Sequence, residues 1–435
     1  MKSSRRGEER VSPYRMRSHR VLAVLLLAIA CRDGPVATPD AMVFKHGKVP
    51  GEHRLLRDLL DRFEMETGIR VVDETLPSSS DLQHQYFITT LEGGSDELDV
   101  LSMDVIWVPE FSRAGWLTDL SSMLPPEDRE DFFPAPLDAC TYRGRLYGVP
   151  WYIDGGVLYY RKDLLQKYGL AVPLTYPELA DAALRILEGE RKADFYGFIW
   201  QGKQYEGLVC VSLEVLSSFG GSVLRDGRVA IASPEARQAF RFLRDLLTRG
   251  VSPPMVTTAD EEATRTVFGS GKAAFLRNWV YAWNLFEREG SPIRGKVGVA
   301  PIPSGAGQAG GATLGGWQLG IARQSRQPEK AWALIEFLTR PENQAYLTRT
   351  VGYRPSRRSL YLDPSLIEEI PILPRLLPVL ERALPRPVTP LYLALSQILQ
   401  SEISAIVAGI KDVDEALEDA RREMEFLLAD MEGER

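Results

Sequence analysis

The sequence predicts an α/β protein made of two α/β regions in succession. Three observations point there. A chain of 435 residues is too long for one ordinary core. Its first third alternates β-prone runs with helical periodicity, and the alternation resumes from residue 146. Its hydrophobic content of 44% and charged content of 26% are those of a folded globular chain, with nothing that suggests disorder.

Residues 42–45 (MVFK) read as the first strand. Leu55, Leu56, Leu59, Leu60 and Phe63 then recur at helical spacing, and Gly68 ends the run. Residues 69–72 form a second strand, 80–91 a helix, and 99–103 a third strand that enters a loop at Asp104. This order implies a parallel sheet covered on both faces. Residues 146–160 are a long β-prone stretch, followed by helices at 162–168 and 177–188 and a strand at 195–200. Ser233 before Pro234 is a helix start, with the cap first and proline at the first helical position. Ala239, Phe240, Leu243, Leu246 and Leu247 line that helix's inner face, and Gly250 stops it. Residues 296–300 and 317–322 are strands around a Gly-rich loop, and 328–338 are helical. Six prolines in 371–390 forbid one uninterrupted helix there. Helices at 391–408 and 412–429 close the chain. Val413, Leu417, Ala420, Met424 and Leu427 form a packed stripe on the second. No internal repeat of fixed period is found.

The N-terminus has a different character. Arg15, Arg17, His19 and Arg20 precede the apolar run 21–30 (VLAVLLLAIA). This run is too short to cross a ~30 Å hydrocarbon layer, which takes roughly 20 helical residues. A basic leader, a short apolar run and small residues before Cys31 make an export signal; a buried core helix would not need the leader. Ala28-Ile29-Ala30-Cys31 resembles the cleavage box of bacterial lipoproteins, in which the cysteine is acylated and becomes the new N-terminus. Ala28 stands where that class usually has Leu, and Leu27 is one place off. The expectation is a signal peptide over 1–31 ending at an acylated Cys31, then a tether over 32–40 with little to bury. Met16 offers a shorter alternative start, and Arg5-Arg6 lies too far from the apolar run for a twin-arginine signal.

Several chemistries find no support. A net charge of −7 gives phosphates no general attraction, so no nucleic-acid partner is expected. The four histidines, His19, His46, His53 and His84, form no HExxH, and no CxxC occurs, so no metal or other cofactor is expected. Cys140 and Cys210 could pair in an exported protein or stand as two buried thiols. Residues 305–310 (GAGQAG) fit GxGxxG but lead to a strand, not to a helix N-terminus, and read as a flexible loop.

Five runs appear in one order: 158–165 (LYYRKDLL), 197–208 (GFIWQGKQYEGL), 275–279 (FLRNW), 290–296 (GSPIRGK) and 314–317 (LGGW). Together they resemble the extracellular solute-binding proteins that include maltose- and trehalose/maltose-binding proteins. The first run marks the broad family; QGKQYEGL and RNW…SPIRGK are similar to the trehalose/maltose branch. The resemblance implies a two-lobed periplasmic-binding-protein fold with three hinge crossings, near Tyr152, near Gly315 and over 340–346. The N-terminal lobe would then hold 41–152 plus 315–342, and the C-terminal lobe 153–314 plus 343–435. It implies no enzyme but the sugar-binding component of an ABC importer on the outer side of the cell membrane. Such a monomer hands a disaccharide or oligosaccharide to the permease subunits.

A sugar needs charge-assisted acceptors and donors for its hydroxyls and flat aromatic faces for its C–H patches. The resemblance carries these roles to particular positions. Asp104, beyond the third strand, is a candidate ligand residue or a helix cap for Ile106 onwards; Trp107 could stack on sugar or merely pack. Tyr152 and Asp154 lie at the first crossing, where Asp154 would bind hydroxyls or satisfy hinge backbone donors. Trp279 and Trp317, the latter after Gly316, match stacking residues, and Tyr205 and Tyr281 are weaker matches. Val280 replaces the proline usual after that first Trp. Arg386, stiffened by Pro385 and Pro387, matches a hydroxyl-binding arginine, with Tyr392 a possible neighbour. The run 45–48 (KHGK) offers no match to the acid or Asn that the family often places in its first loop. Two alternatives stand beside this reading: a secreted glycoside hydrolase using Asp104 and Asp154, and a receptor that presents its ligand to a sensor kinase.

Overall fold

The computed structural model describes residues 41–47, 54–77, 79–305 and 311–433. The expected signal segment with Cys31, the expected tether, Lys48 and residues 306–310 of the Gly-rich loop lie outside the described residues. Among the described residues no helix is long and apolar enough to cross a membrane.

The expected parallel start is present. Strand Met42–Gly47 pairs in parallel with Val71–Leu76 on one side and Val100–Asp104 on the other. The helix Arg54–Thr67 buries Leu56, Leu59, Leu60 and Phe63, the spacing read from the sequence. Gly68 follows with φ of +73°, a value that favours glycine.

One strand organises the rest. Val149–Arg161 is thirteen residues long and serves two sheets. Its first half, to Gly155, pairs antiparallel with Leu314–Ile321, which in turn pairs with Val100–Asp104. Its second half pairs with Ala273–Trp279 and Val297–Ala300, and Tyr196–Ile199 extends that sheet. The cores divide in the same way. Met42, Phe44, Phe63, Trp151 and Leu319 belong to one apolar cluster and Leu158, Phe198, Phe240, Phe275 and Ile403 to another. The residues around 152–156 therefore lie between two lobes, each with its own interior.

Arg354–Pro355 forms a short third strand on Ile153 and Tyr152. The helix before it, Pro341–Thr350, sits with the first lobe: Tyr346 Oη donates to Leu55 O (3.3 Å) and Arg340 pairs with Glu66 (2.7 Å). This helix and the chain as far as Tyr353 keep first-lobe contacts, past the 340–346 over which the resemblance implies the third crossing. The physical reason is that Leu347, Val351 and Tyr353 bury their side chains in the first-lobe core.

The helix Glu206–Ser218 has no counterpart in the sequence reading. Eleven of its thirteen residues are buried, so it shows no polar face and no amphipathic period. The proline-rich stretch does contain a helix, Leu373–Glu381, with Pro374 in its first turn and Pro378 inside it, and then an irregular run to Tyr392. Ser233 caps its helix as expected, accepting from Ala236 N (3.2 Å). Cys140 and Cys210 are separate buried thiols.

Candidate functional site

The crossing gathers most of the residues singled out in the sequence. Asp104 is the last residue of its strand, at the open edge where parallel sheets present ligand groups. Its Oδ2 accepts from Ser80 Oγ (3.2 Å) and its Oδ1 from Ile106 N (3.4 Å), the capping contact read as the alternative. Oδ1 also accepts from Arg386 Nη2 at 2.6 Å. The antiparallel register sets Trp317 opposite both Asp104 and Tyr152, and Gly315 opposite Asp154. Gly316 has φ of +119°, and a Cβ there would stand 2.4 Å from Tyr152 O, so only glycine permits this approach.

Asp154 does what its alternative reading required. Its Oδ1 accepts from Gly155 N and Val280 N, each at 2.9 Å. Burial pushes its carboxyl up to about 7, against the pull of those two N–H groups and of the Arg354 and Arg277 charges.

Trp279 ends its strand opposite Gly156, with its ring against Gly315, where a Cβ would meet Cζ3 at 2.9 Å. Its Nε1 donates to Glu261 Oε1 (3.2 Å), and the Arg277 guanidinium lies 4.3 Å from its ring centroid. Arg277 is held in turn by Glu214 (Nε–Oε2 2.7 Å, Nη2–Oε1 2.5 Å) and by Gln201 Oε1 (3.0 Å). The indole thus rests on a buried ion pair. Tyr205 Oη donates to Glu261 Oε2 (2.6 Å) and Tyr281 Oη to Glu262 Oε1 (2.7 Å). Glu261 therefore ties Tyr205 to Trp279.

Residues 50–345 match the family model of the bacterial extracellular solute-binding proteins. The chain belongs to that family. It is 37% identical over 389 residues to a probable ABC transporter-binding protein of Deinococcus radiodurans, covering 88% of this chain and 92% of that one. The structure of maltose-bound T. maritima MalE3 has 41% identity and a TM-score of 0.85, covering 89% of this chain and 99% of that one. A solute-binding protein of Thermotoga lettingae bound with alpha-D-tagatose has 27% identity and a TM-score of 0.80, over 89% of this chain and 99% of that one. The Deinococcus and T. lettingae proteins are described as binding proteins of ABC transporters, and the two-lobed α/β fold is that of these relatives.

Within this solute-binding protein, Trp107 is packed, the alternative that stood beside stacking. It is fully buried among His84, Phe87 and Phe111, and it meets Trp317 edge-on with centroids 5.4 Å apart. An indole with no open face cannot stack on a ligand; it backs Trp317, which stays partly exposed. Tyr152 is stacked on Tyr353, with centroids 3.8 Å apart, which fixes its ring at the hinge. Arg386 is neither exposed nor unpaired: it bridges Asp104 and Glu206 (Nη1–Oε1 2.9 Å). Glu206, Glu261, Arg277 and Glu214 went unnoticed as functional candidates. A weak signal existed, since Glu206 and Arg277 lie inside two of the family-like runs and Arg277 is a lone charge in an apolar strand. At the first loop, Lys45 pairs with Glu74 (2.7 Å) and donates to Tyr86 Oη (2.5 Å).

Proposed function

We propose that this protein captures a disaccharide of the trehalose/maltose class between its lobes and delivers it to an ABC permease. The observation that carries the reading is the convergence at the crossing of Trp279, Trp317 and Asp154 with Asp104 and Arg386, which come from opposite lobes. Two indoles offer flat faces for the apolar sides of sugar rings. Asp104, Asp154 and Arg386 offer charge-assisted partners for hydroxyls, and Tyr152, Tyr205, Tyr281 and Gly316 complete the lining. Maltose in the T. maritima relative supports a disaccharide. Ligand binds one lobe, and closure buries it against the other, shifting the open–closed balance by its differential affinity. The lobes comprise 41–152 plus 315–351 and 153–314 plus 357–435. The mature chain acts as a monomer tethered outside the membrane through an acylated Cys31.

A thermal-shift screen with maltose, trehalose, sucrose, tagatose and mannitol tests this. Maltose or trehalose should give the largest rise in Tm. No stabilisation by any α-linked disaccharide would overturn the assignment. In calorimetric titrations with the best of them, Trp279→Ala and Trp317→Ala should each weaken binding by about 1–3 kcal/mol, the value of covering such a ring. Wild-type affinity in both variants removes the indoles from the site. The raised Asp154 carboxyl would also suit a hydrolase acid, so the same sugars are assayed for glucose, whose release would favour that enzyme.

A further inference from the structure

We infer that Glu206 is a positioning residue that holds Arg386 in its binding pose, an inference resting on the proposed role of Arg386 as a sugar contact. Arg386 lies in the irregular run between the helices Leu373–Glu381 and Tyr392–Ala408. The backbone there is tied to the rest of the protein at Leu384, which exchanges hydrogen bonds with Ala312 O and Leu314 N, both 2.8 Å. A long side chain two residues further on needs another restraint if its guanidinium is to point one way.

Glu206 supplies it. The carboxylate is buried, and donors converge on both its oxygens. Oε1 accepts from Arg386 Nη1 (2.9 Å) and Tyr392 Oη (2.5 Å), and Oε2 accepts from Ser396 Oγ (2.5 Å). Glu206, Tyr392 and Ser396 stand on two helices packed together, and Arg386 belongs to the chain leading into the second of them. These groups travel as one body. Asp104 lies on a strand of the other lobe, so its bond to Arg386 Nη2 (2.6 Å) spans the cleft and breaks when the lobes part. The two carboxylates beside Arg386 therefore have unequal parts. Glu206 stays with Arg386 through the cycle and fixes its direction, while Asp104 meets it only on closure. Arg386 Nε has no partner among the described residues, which leaves a buried N–H in the fixed guanidinium plane for a hydroxyl oxygen.

The test is titration calorimetry with maltose and trehalose on wild type, Glu206→Gln, Tyr392→Phe, Arg386→Ala and the double variant Glu206→Gln/Arg386→Ala. Glu206→Gln should weaken binding roughly 10- to 100-fold, as loss of one charged hydrogen bond in a dry site does. Tyr392→Phe should move affinity the same way by less. In the Arg386→Ala background, Glu206→Gln should add less than about 3-fold, because a positioning residue has nothing left to position. Equal losses in both backgrounds would show a merely structural role and overturn the inference. Unchanged affinity in Glu206→Gln with a loss in Arg386→Ala would overturn it too while leaving the sugar reading intact. Wild type that binds neither sugar overturns the reading and the inference together, whereas Arg386→Ala that binds as wild type does overturns the role of Arg386 and with it the inference, leaving the sugar reading standing. Should Glu206→Gln fail to fold, Tyr392→Phe in the two backgrounds carries the same comparison, since it removes one donor and little volume.

Discussion

Glu214→Ala should lower the unfolding free energy by about 3–5 kcal/mol, the cost of leaving one partner of a buried ion pair uncompensated. Arg277 and Glu214 are 2% and 1% exposed, so water cannot take the place of the missing carboxylate. The Gln201 amide oxygen and the Trp279 ring would remain beside the guanidinium, and neither carries a compensating charge. Thr313 N, which donates to Glu214 Oε1 (3.1 Å), would lose its acceptor as well. Urea denaturation followed by circular dichroism measures the change. Arg421→Ala, which removes an exposed pair with Glu425 (2.6 Å), is the control and should cost under about 1 kcal/mol. A Glu214→Ala loss as small as the control's would show that the pair contributes little. The consequence for function is direct: with Arg277 free to turn, Trp279 loses the charge beneath its ring, so sugar affinity should fall alongside stability. Gly156 belongs to the same unit, since a Cβ there would stand 1.8 Å from Glu214 Oε1.

The second large effect depends on pH. Burial pushes the Asp154 carboxyl up to about 7 in the folded protein, while an unfolded chain releases that proton near the ordinary aspartate value of about 4. Between these two values the folded state holds a proton that the unfolded state has lost. Stability therefore falls as pH rises from about 4 to about 7 and is level above that. The full contribution is at most about 4 kcal/mol from the size of the shift. Asp154→Asn should remove this slope, and the difference between wild-type and variant Tm curves from pH 4 to 8 isolates it from other groups. Parallel curves would mean that Asp154 is ionised throughout. Binding should respond with the opposite sign. The ionised carboxylate is the stronger acceptor for a sugar hydroxyl, so affinity should rise with pH through 7 in wild type and stay level in Asp154→Asn. Arg354 and Arg277 are the charges that pull against burial at this site.

Some elements were legible in the sequence because local pattern alone sets them. The spacing of Leu56, Leu59, Leu60 and Phe63 requires one buried helix face wherever that helix docks. Ser233 and Pro234 fix a helix start through contacts within one turn. The helix Glu206–Ser218 escaped because it is enclosed on nearly every side and so carries no contrast between faces. The sequence left Trp107 open between stacking and packing, while a family-like run singled out Trp317. Their difference in exposure arises from His84, Phe87 and Phe111 closing around one of them.

By itself the sequence indicated an α/β chain with a long β-prone stretch over 146–160, and its resemblance to the solute-binding family singled out Asp154, Trp279, Trp317 and Arg386 as candidates. Tertiary structure alone decided their company. Arg386 meets Asp104 across 282 positions and Glu206 across 180, and Arg277 meets Glu214 across 63. Periodicity and capping act over a few residues, whereas a buried charge takes whichever partner the packed lobes bring within a few ångströms. No local pattern encodes that choice.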